Sequence, residues 1–464
     1  MPRPPRIPGS ANSSQRKAGQ VPTAAMVAQL AALGQAVSQR CGRGEFQAAL
    51  PFAAQALALA PGHPVVLGDL ALCYMRTGQL EAARLAYLAA VTAAPGAENI
   101  LDGLAECCGA MGLAEEVRRY GHAALAAKAA SVADRRGSPL PAACPPPFDD
   151  LQPTRNLLSF SLFGASPHYC ETAILNVQAA AHLLPGWRCR FHVDTTVPQA
   201  VQQRLHNAGA QLVDMDRHPS RGIAPLMWRF LVLDDPGVDR YLLRDADSLV
   251  SLREVAAVQA WLDSERWFHL MRDWATHSEL LLAGMWGGCG GVFQQITSSL
   301  QAYSQTPPRL GARLIDQHWL RHYVWPTVRQ SVLSHDGVFG FSGGLPFPLH
   351  APVVDMSTRF HVGANIGGTG IGGAAPGPDG KPVSWRLLDA QGHEFAATSA
   401  QPWRAMAGQV AQALRRRAAC RRLALRTAGR AGELSVCEAS ASAAWRPRRQ
   451  LPRIAPDANG KPGA

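Results

Sequence analysis

Gly44, Gly78 and Gly112 stand 34 residues apart, and Pro61 and Pro95 repeat the same interval. In that register Leu67, Leu70, Ala71 and Tyr74 fall on Leu101, Leu104, Ala105 and Cys108. Ala49, Ala83 and Val117 superpose, as do Ala53, Tyr87 and Gly121. A repeat of this length holds two short helices and a turn, and neither helix can bury its apolar face alone, so neighbouring units must stack. Residues 25–130 are therefore expected to form an all-α solenoid, its small residues marking where helices cross. A plain helical bundle would have to reach both the Gly and the Pro register by chance.

The pattern resembles the tetratricopeptide repeat, with two good units and two partial ones. That resemblance implies a surface on which a protein partner docks. Residues 1–24, rich in Pro, Ser, Gly and Arg, have no periodicity and are expected to be disordered. Residues 131–154, with Cys144 followed by three prolines, cannot continue a helix and are expected to be a Pro-rich linker.

From Arg155 the pattern changes. Short apolar runs (155–163, 187–193, 210–213, 241–243) alternate with helical ones (169–184, 198–207, 225–233), which predicts an open α/β sheet with ligands beyond the carboxyl ends of its strands. The run Tyr241–Leu243 ends in Arg244-Asp245-Ala246-Asp247. Side chains repeat every second residue along an extended chain, so Asp245 and Asp247 share a side. Two hard oxygen donors so placed can share one divalent cation with a diphosphate. The competing reading makes Asp247 and Ser248 turn or cap residues before a helix over 249–261.

The block Pro225–Val250, in which a helical stretch carrying Arg229 leads into a strand and the Asp-x-Asp, resembles the retaining family 8 glycosyltransferases, the glycogenin-like group. Later landmarks are similar and in the same order: Gly290-Gly291-Val292-Phe293, Asp316-Gln317 and His361-Val362-Gly363. The likeness spans about 155–370 and is most specific over 229–247. It departs from the family after Gly363, where Asn365-Ile-Gly-Gly stands in place of Lys-Pro-Trp. Phrases such as Leu184-Pro-Gly-Trp187 and Phe268-His-Leu-Met-Arg272-Asp273 also look like bacterial glycosyltransferase-type proteins that carry tetratricopeptide repeats.

The resemblance implies a GT-A-like (Rossmann-like nucleotide-diphospho-sugar transferase) domain over 155–375. Asp245, Asp247 and His361 would hold Mn²⁺ or Mg²⁺ against a nucleotide-sugar donor. Arg229 would reach ribose or phosphate, or else pair on the surface with Asp234 or Asp235. Phe163 would sit by the base. Asp194 would take ribose or base, or form a turn. Arg272 and His277 would contact donor or acceptor, although a lone histidine such as His277 is more often structural. Gly290 and Gly291 would let the backbone approach a ligand, or serve a bend between strands. Asp273 and Asp316, with Gln317 beside it, would serve catalysis, Asp316 alternatively as a helix cap. The acceptor, whether glycan, lipid or protein, is not specified. The second reading is a non-catalytic tetratricopeptide adaptor with a degenerate transferase-like domain.

Charge and length narrow the classes further. Of the net charge of +11, residues 401–464 hold +10, thirteen basic against three acidic residues, so a chain that coats nucleic acid along its length is not implied. That tail, within a basic and largely disordered 376–464, suits a helix over 401–430 touching an acidic membrane face. No apolar run approaches the roughly 20 residues a bilayer requires. The expectation is a cytoplasmic protein, peripheral to the inner membrane face at most. The ten cysteines show no Cys-x-x-Cys pair and read as reduced thiols.

Overall fold

The structure is a computed structural model that describes residues 23–305, 315–348 and 361–364, with strands at 385–388 and 394–398. The expectations for 1–22, for the Asn365-Ile-Gly-Gly stretch and for the basic tail from 401 lie outside the described residues. Two compact units divide the chain, Met1–Gly370 and Ile371–Ala464. Within the second, Trp385–Leu388 pairs antiparallel with Glu394–Thr398. No helix among the described residues is long and apolar enough to cross a membrane.

Paired helices α1 (Ala24–Gly42), α2 (Phe46–Leu59), α3 (Pro64–Arg76), α4 (Leu80–Ala93), α5 (Glu98–Ala110) and α6 (Ala114–Ala130) form the expected helical-repeat solenoid. The Thr23 hydroxyl caps α1 by accepting from the Met26 N–H. Gly44, Gly78 and Gly112 each follow the first helix of a pair at φ +76, +80 and +74, the left-handed turn that a side chain would strain. Ala49, Ala83 and Val117, superposed by the 34-residue register, are all buried where helices cross.

The α/β part follows as β1 (Asn156–Leu162), α7 (Pro167–Leu183), β2 (Arg188–Val193), α8 (Gln199–Asn207) and β3 (Gln211–Asp214). A 3-10 helix, Pro225–Asp234, leads into β4 (Arg240–Arg244), α9 (Leu252–Leu262), β5 (Phe268–Arg272), β6 (Met285–Cys289) and α10 (Ile296–Gln305). A helical stretch with a π turn at Leu320–Val324 precedes β7 (Val332–Asp336). The strands lie in the order β3-β2-β1-β4-β6-β5-β7. All neighbours are parallel except β6, which runs antiparallel to both β4 and β5. The chain lays β2 and β3 on one side of β1 and then crosses to place β4 on the other. That reversal opens a crevice at the carboxyl ends of β1 and β4, where open sheets bind ligands.

The stretch 131–154 is no free linker. The Arg329 guanidinium donates to the Ala133 and Arg135 carbonyls, and the Ser138 N–H donates to Thr327 Oγ1. Arg240 donates to the Pro146 carbonyl, and Phe148 stacks on Trp187 at 5.4 Å. Solenoid and sheet also touch directly. Lys128 Nζ donates to both Asp102 oxygens and to the Ser278 carbonyl, and Phe339 packs against Gly121 so closely that a Cβ there would lie 2.1 Å from its ring.

Candidate active site

The carboxyl ends of β1 and β4 open on a cavity of about 680 Å³ lined by Phe163, Arg229, Asp245, Asp247, His277, Asp316 and Gln317 among others. Phe163, partly exposed, follows β1 and meets the Trp228 indole edge-on. Asp245 and Asp247 follow β4. They lie in a turn, the Ser248 N–H donating to the Asp245 carbonyl at 3.4 Å, and are not cap residues of α9, because Ser251 fills that place, its hydroxyl accepting from the Glu254 N–H. Gly284 lets Asp245 lie where it does, since a Cβ at 284 would stand 2.2 Å from Asp245 Oδ2.

Arg229 joins the acids. Its buried guanidinium donates to Asp245 Oδ1 through Nη1 and to Asp316 Oδ2 at 3.0 Å through Nη2. Of the two places expected for it, the surface pairing is not the one it takes. It is not on the surface with Asp234 or Asp235, which accept from Thr297 and Arg190 respectively. Burial pulls its pKa down and the two carboxylates more than reverse that, so it stays charged. Burial, the largest influence on Asp316, raises its pKa despite Arg229. Asp316 lies in the first turn of Ile315–Trp319, with Oδ1 accepting from the Gln317 N–H. Burial raises Asp247 above the usual carboxylate range, and the neighbouring Asp245 raises it further. His168 Nε2 stands 3.5 Å from Asp247 Oδ2.

His361 does not join the two acids. Among the described residues it converges with Asp273 and His277, its ring stacked on Trp274 at 4.7 Å and meeting the edge of His277 at the same distance. Asp273 is buried after β5 and sits outside the cavity lining, as a partner of these histidines. Arg272 is also absent from the lining. Its buried guanidinium donates to the Glu279 and Leu280 carbonyls and faces Asp336. Asp194 forms a turn, Oδ1 accepting from the Thr196 N–H and hydroxyl. Gly290 and Gly291 lie away from the cavity too. A Cβ on Gly290 would meet the Val238 carbonyl oxygen at 1.9 Å, so this glycine serves strand packing.

The sequence reading missed His168, Tyr169 and Arg253. His168 and Tyr169 follow Pro167 in the first turn of α7, immediately beyond β1, and that position alone could have flagged them. Arg253 carried no signal in the sequence. Its Nε donates to Asp273 Oδ2 across 20 positions.

The molecule thus carries tetratricopeptide repeats ahead of a mixed α/β sheet, and residues 42–107 match the tetratricopeptide repeat family. Among solved structures, the Sgt2 TPR domain from Aspergillus fumigatus is similar at 22% identity, over 23% of this chain and 68% of that one, with a TM-score of 0.21. The first TPR of Spaghetti (RPAP3) bound to the HSP90 peptide SRMEEVD gives 16%, 22%, 79% and 0.21 for the same measures. A mutant O-GlcNAc transferase of Thermobaculum terrenum gives 16% identity, over 48% of this chain and 47% of that one, with a TM-score of 0.26. None of the curated protein sequences matches the chain.

Proposed function

We propose that the α/β region is a GT-A-type glycosyltransferase that takes a sugar from a nucleotide-diphosphate donor, and that the repeats hold the acceptor or a protein partner. The observation that carries this reading is the convergence of Asp245, Asp247, Arg229 and Asp316 in one cavity at the point where the strand order reverses. Asp245 and Asp247 would hold Mn²⁺ or Mg²⁺. The fit rests on the donor set, two carboxylates at the end of one strand lining the same cavity, hard oxygen donors of the kind that hold such ions. Such an ion supplies neutralisation of the departing diphosphate.

The chain's own residues do the rest. Phe163 offers a partly exposed ring face to the base, Gln317 an amide to sugar hydroxyls, and Asp316 a carboxylate toward positive charge developing on the sugar. Arg229 holds Asp245 and Asp316 in place. Donor hydrolysis or transfer, screened across nucleotide sugars with Mn²⁺, tests the reading. EDTA, and separately Asp245→Asn with Asp247→Asn, are each expected to lower the rate at least about 100-fold. Activity that survives both sinks it.

One observation favours the adaptor reading. Asp245 Oδ1 is already taken by Arg229, as it would be in a site kept only as scaffold. A chain that gains no thermal stability from any nucleotide diphosphate plus Mn²⁺, yet retains a protein through residues 25–130, would be that adaptor.

A further inference from the structure

We propose that Asp273, His277 and His361 bind a divalent transition-metal ion of the zinc, cobalt or nickel class, at a site distinct from the Asp245 and Asp247 pair. The three donors reach one point from separate places: the end of β5, the turn after it, and the segment 361–364. One ligand atom from each lies within 4.8 Å of the others.

The carboxylate is the strongest sign of an absent partner. Asp273 Oδ2 is clamped, accepting from Arg253 Nε at 3.1 Å and from the Val362 N–H at 3.0 Å. Among the described residues its buried Oδ1 has no hydrogen-bond partner. Leaving such an oxygen unmatched in the interior is costly. The nearest candidate donor, His277 Nδ1 at 3.4 Å, instead accepts the Asp273 backbone N–H at 3.1 Å, so in the neutral ring that nitrogen carries no proton to give.

The separation itself is informative. Zinc bonds of about 2.0–2.2 Å to nitrogen and oxygen put neighbouring tetrahedral ligands roughly 3.4 Å apart. The distance from Asp273 Oδ1 to His277 Nδ1 is that of such an edge. An ion bound there displaces one contact, the Asp273 N–H on His277.

His361 is prepared in the same sense. Its Nδ1 donates to the Val362 carbonyl at 2.8 Å, which leaves the lone pair of the neutral ring on Nε2. An imidazole oriented by a backbone carbonyl at its other nitrogen is the usual support of a metal-bound histidine. Two imidazoles and one carboxylate suit zinc, cobalt or nickel, whereas the all-oxygen pair at 245 and 247 suits magnesium or manganese. The ion would pin the segment 361–364 to the end of β5, where Val362 is buried against Met271, Met285 and Phe347. His277 also lines the cavity of the acidic pair, so the pin stands at its wall.

The test uses the full chain, stripped with EDTA, dialysed and titrated with Co²⁺. Expected are the visible ligand-field bands of histidine-bound cobalt, abolished by one equivalent of Zn²⁺, with melting temperature rising as zinc is added. His277→Gln and His361→Gln are each expected to weaken cobalt binding at least about 10-fold. Asp245→Asn with Asp247→Asn is expected to leave the bands unchanged. Absent bands, bands that persist in both histidine variants, or bands lost with the acidic pair instead, overturn the proposal. X-ray absorption on the zinc-loaded wild-type chain needs no variant. Imidazole scattering is expected, and an oxygen-only shell overturns it. No readout involves a sugar donor or turnover, so failure here is separate from failure of the transferase reading.

Discussion

Arg229 is the residue on which the acidic side of the cavity depends. One buried cation serves two carboxylates, 16 and 87 positions away in the chain. Removing one member of such a group leaves charge uncompensated in the interior, which typically costs about 3–5 kcal/mol. Asp245 is 40% exposed on its side chain and solvent screens it, so Arg229→Met is expected near the lower bound, about 3 kcal/mol. Urea denaturation measures it, and adding Asp316→Leu should recover part of the loss. An unchanged midpoint in Arg229→Met would mean the cation does not hold the acids. The Asp-x-Asp was legible because its chemistry is written in two neighbouring letters. Arg229 was legible as important and not in its partners, because pairing across 87 positions leaves no trace in local spacing.

The elements themselves were largely readable, since alternation of apolar runs and helical periods fixes what each segment becomes. Their arrangement was less so. β6 lies just ahead of the Gly290-Gly291 pair, and neither its antiparallel direction nor its place between β4 and β5 follows from its composition. The glycines were open to two readings, ligand approach or strand bend, and the sheet supplies the reason for them. At Gly287 a Cβ would lie 2.5 Å from the Tyr241 carbonyl oxygen and 2.6 Å from the Leu242 side chain. Backbone cannot yield as a flexible side chain can. Gly287→Ala is therefore expected to cost about 1–3 kcal/mol, read as a lowered melting temperature. Gly96, with nothing within 4 Å of an added Cβ, is the control, and its change to Ala should stay within about 0.5 kcal/mol. Equal effects at the two positions would remove close strand packing as the reason for the glycine.

At the level of the whole molecule, the repeats and the sheet were legible as separate parts, and what the sequence hid is that they form a single body. The 34-residue register describes each unit's contact with the next and is silent about the last helix, whose face meets the sheet. There Lys128, 4% exposed, sits between Asp102 of α5 and Glu279 of the α/β part, its ammonium 2.8 Å from one and 3.6 Å from the other. Arg321 closes the same seam, 2.6 Å from Glu98 and 2.5 Å from Glu279. Burial already raises the Asp102 pKa against the pull of Lys128, so this carboxylate tolerates little further loss of compensation. Lys128→Met removes the cation and leaves Asp102 and Glu279 on the seam with Arg321 alone. The expected result is a seam weakened by about 3 kcal/mol or more, with a solenoid transition and a sheet transition drawn further apart in calorimetry than in the unsubstituted chain. Proteolysis should at the same time speed up within 131–154, because the stretch strapped across the junction opens when the two parts come away from each other. One transition at an unchanged temperature, with cleavage no faster, would show that Lys128 does not hold the solenoid to the sheet.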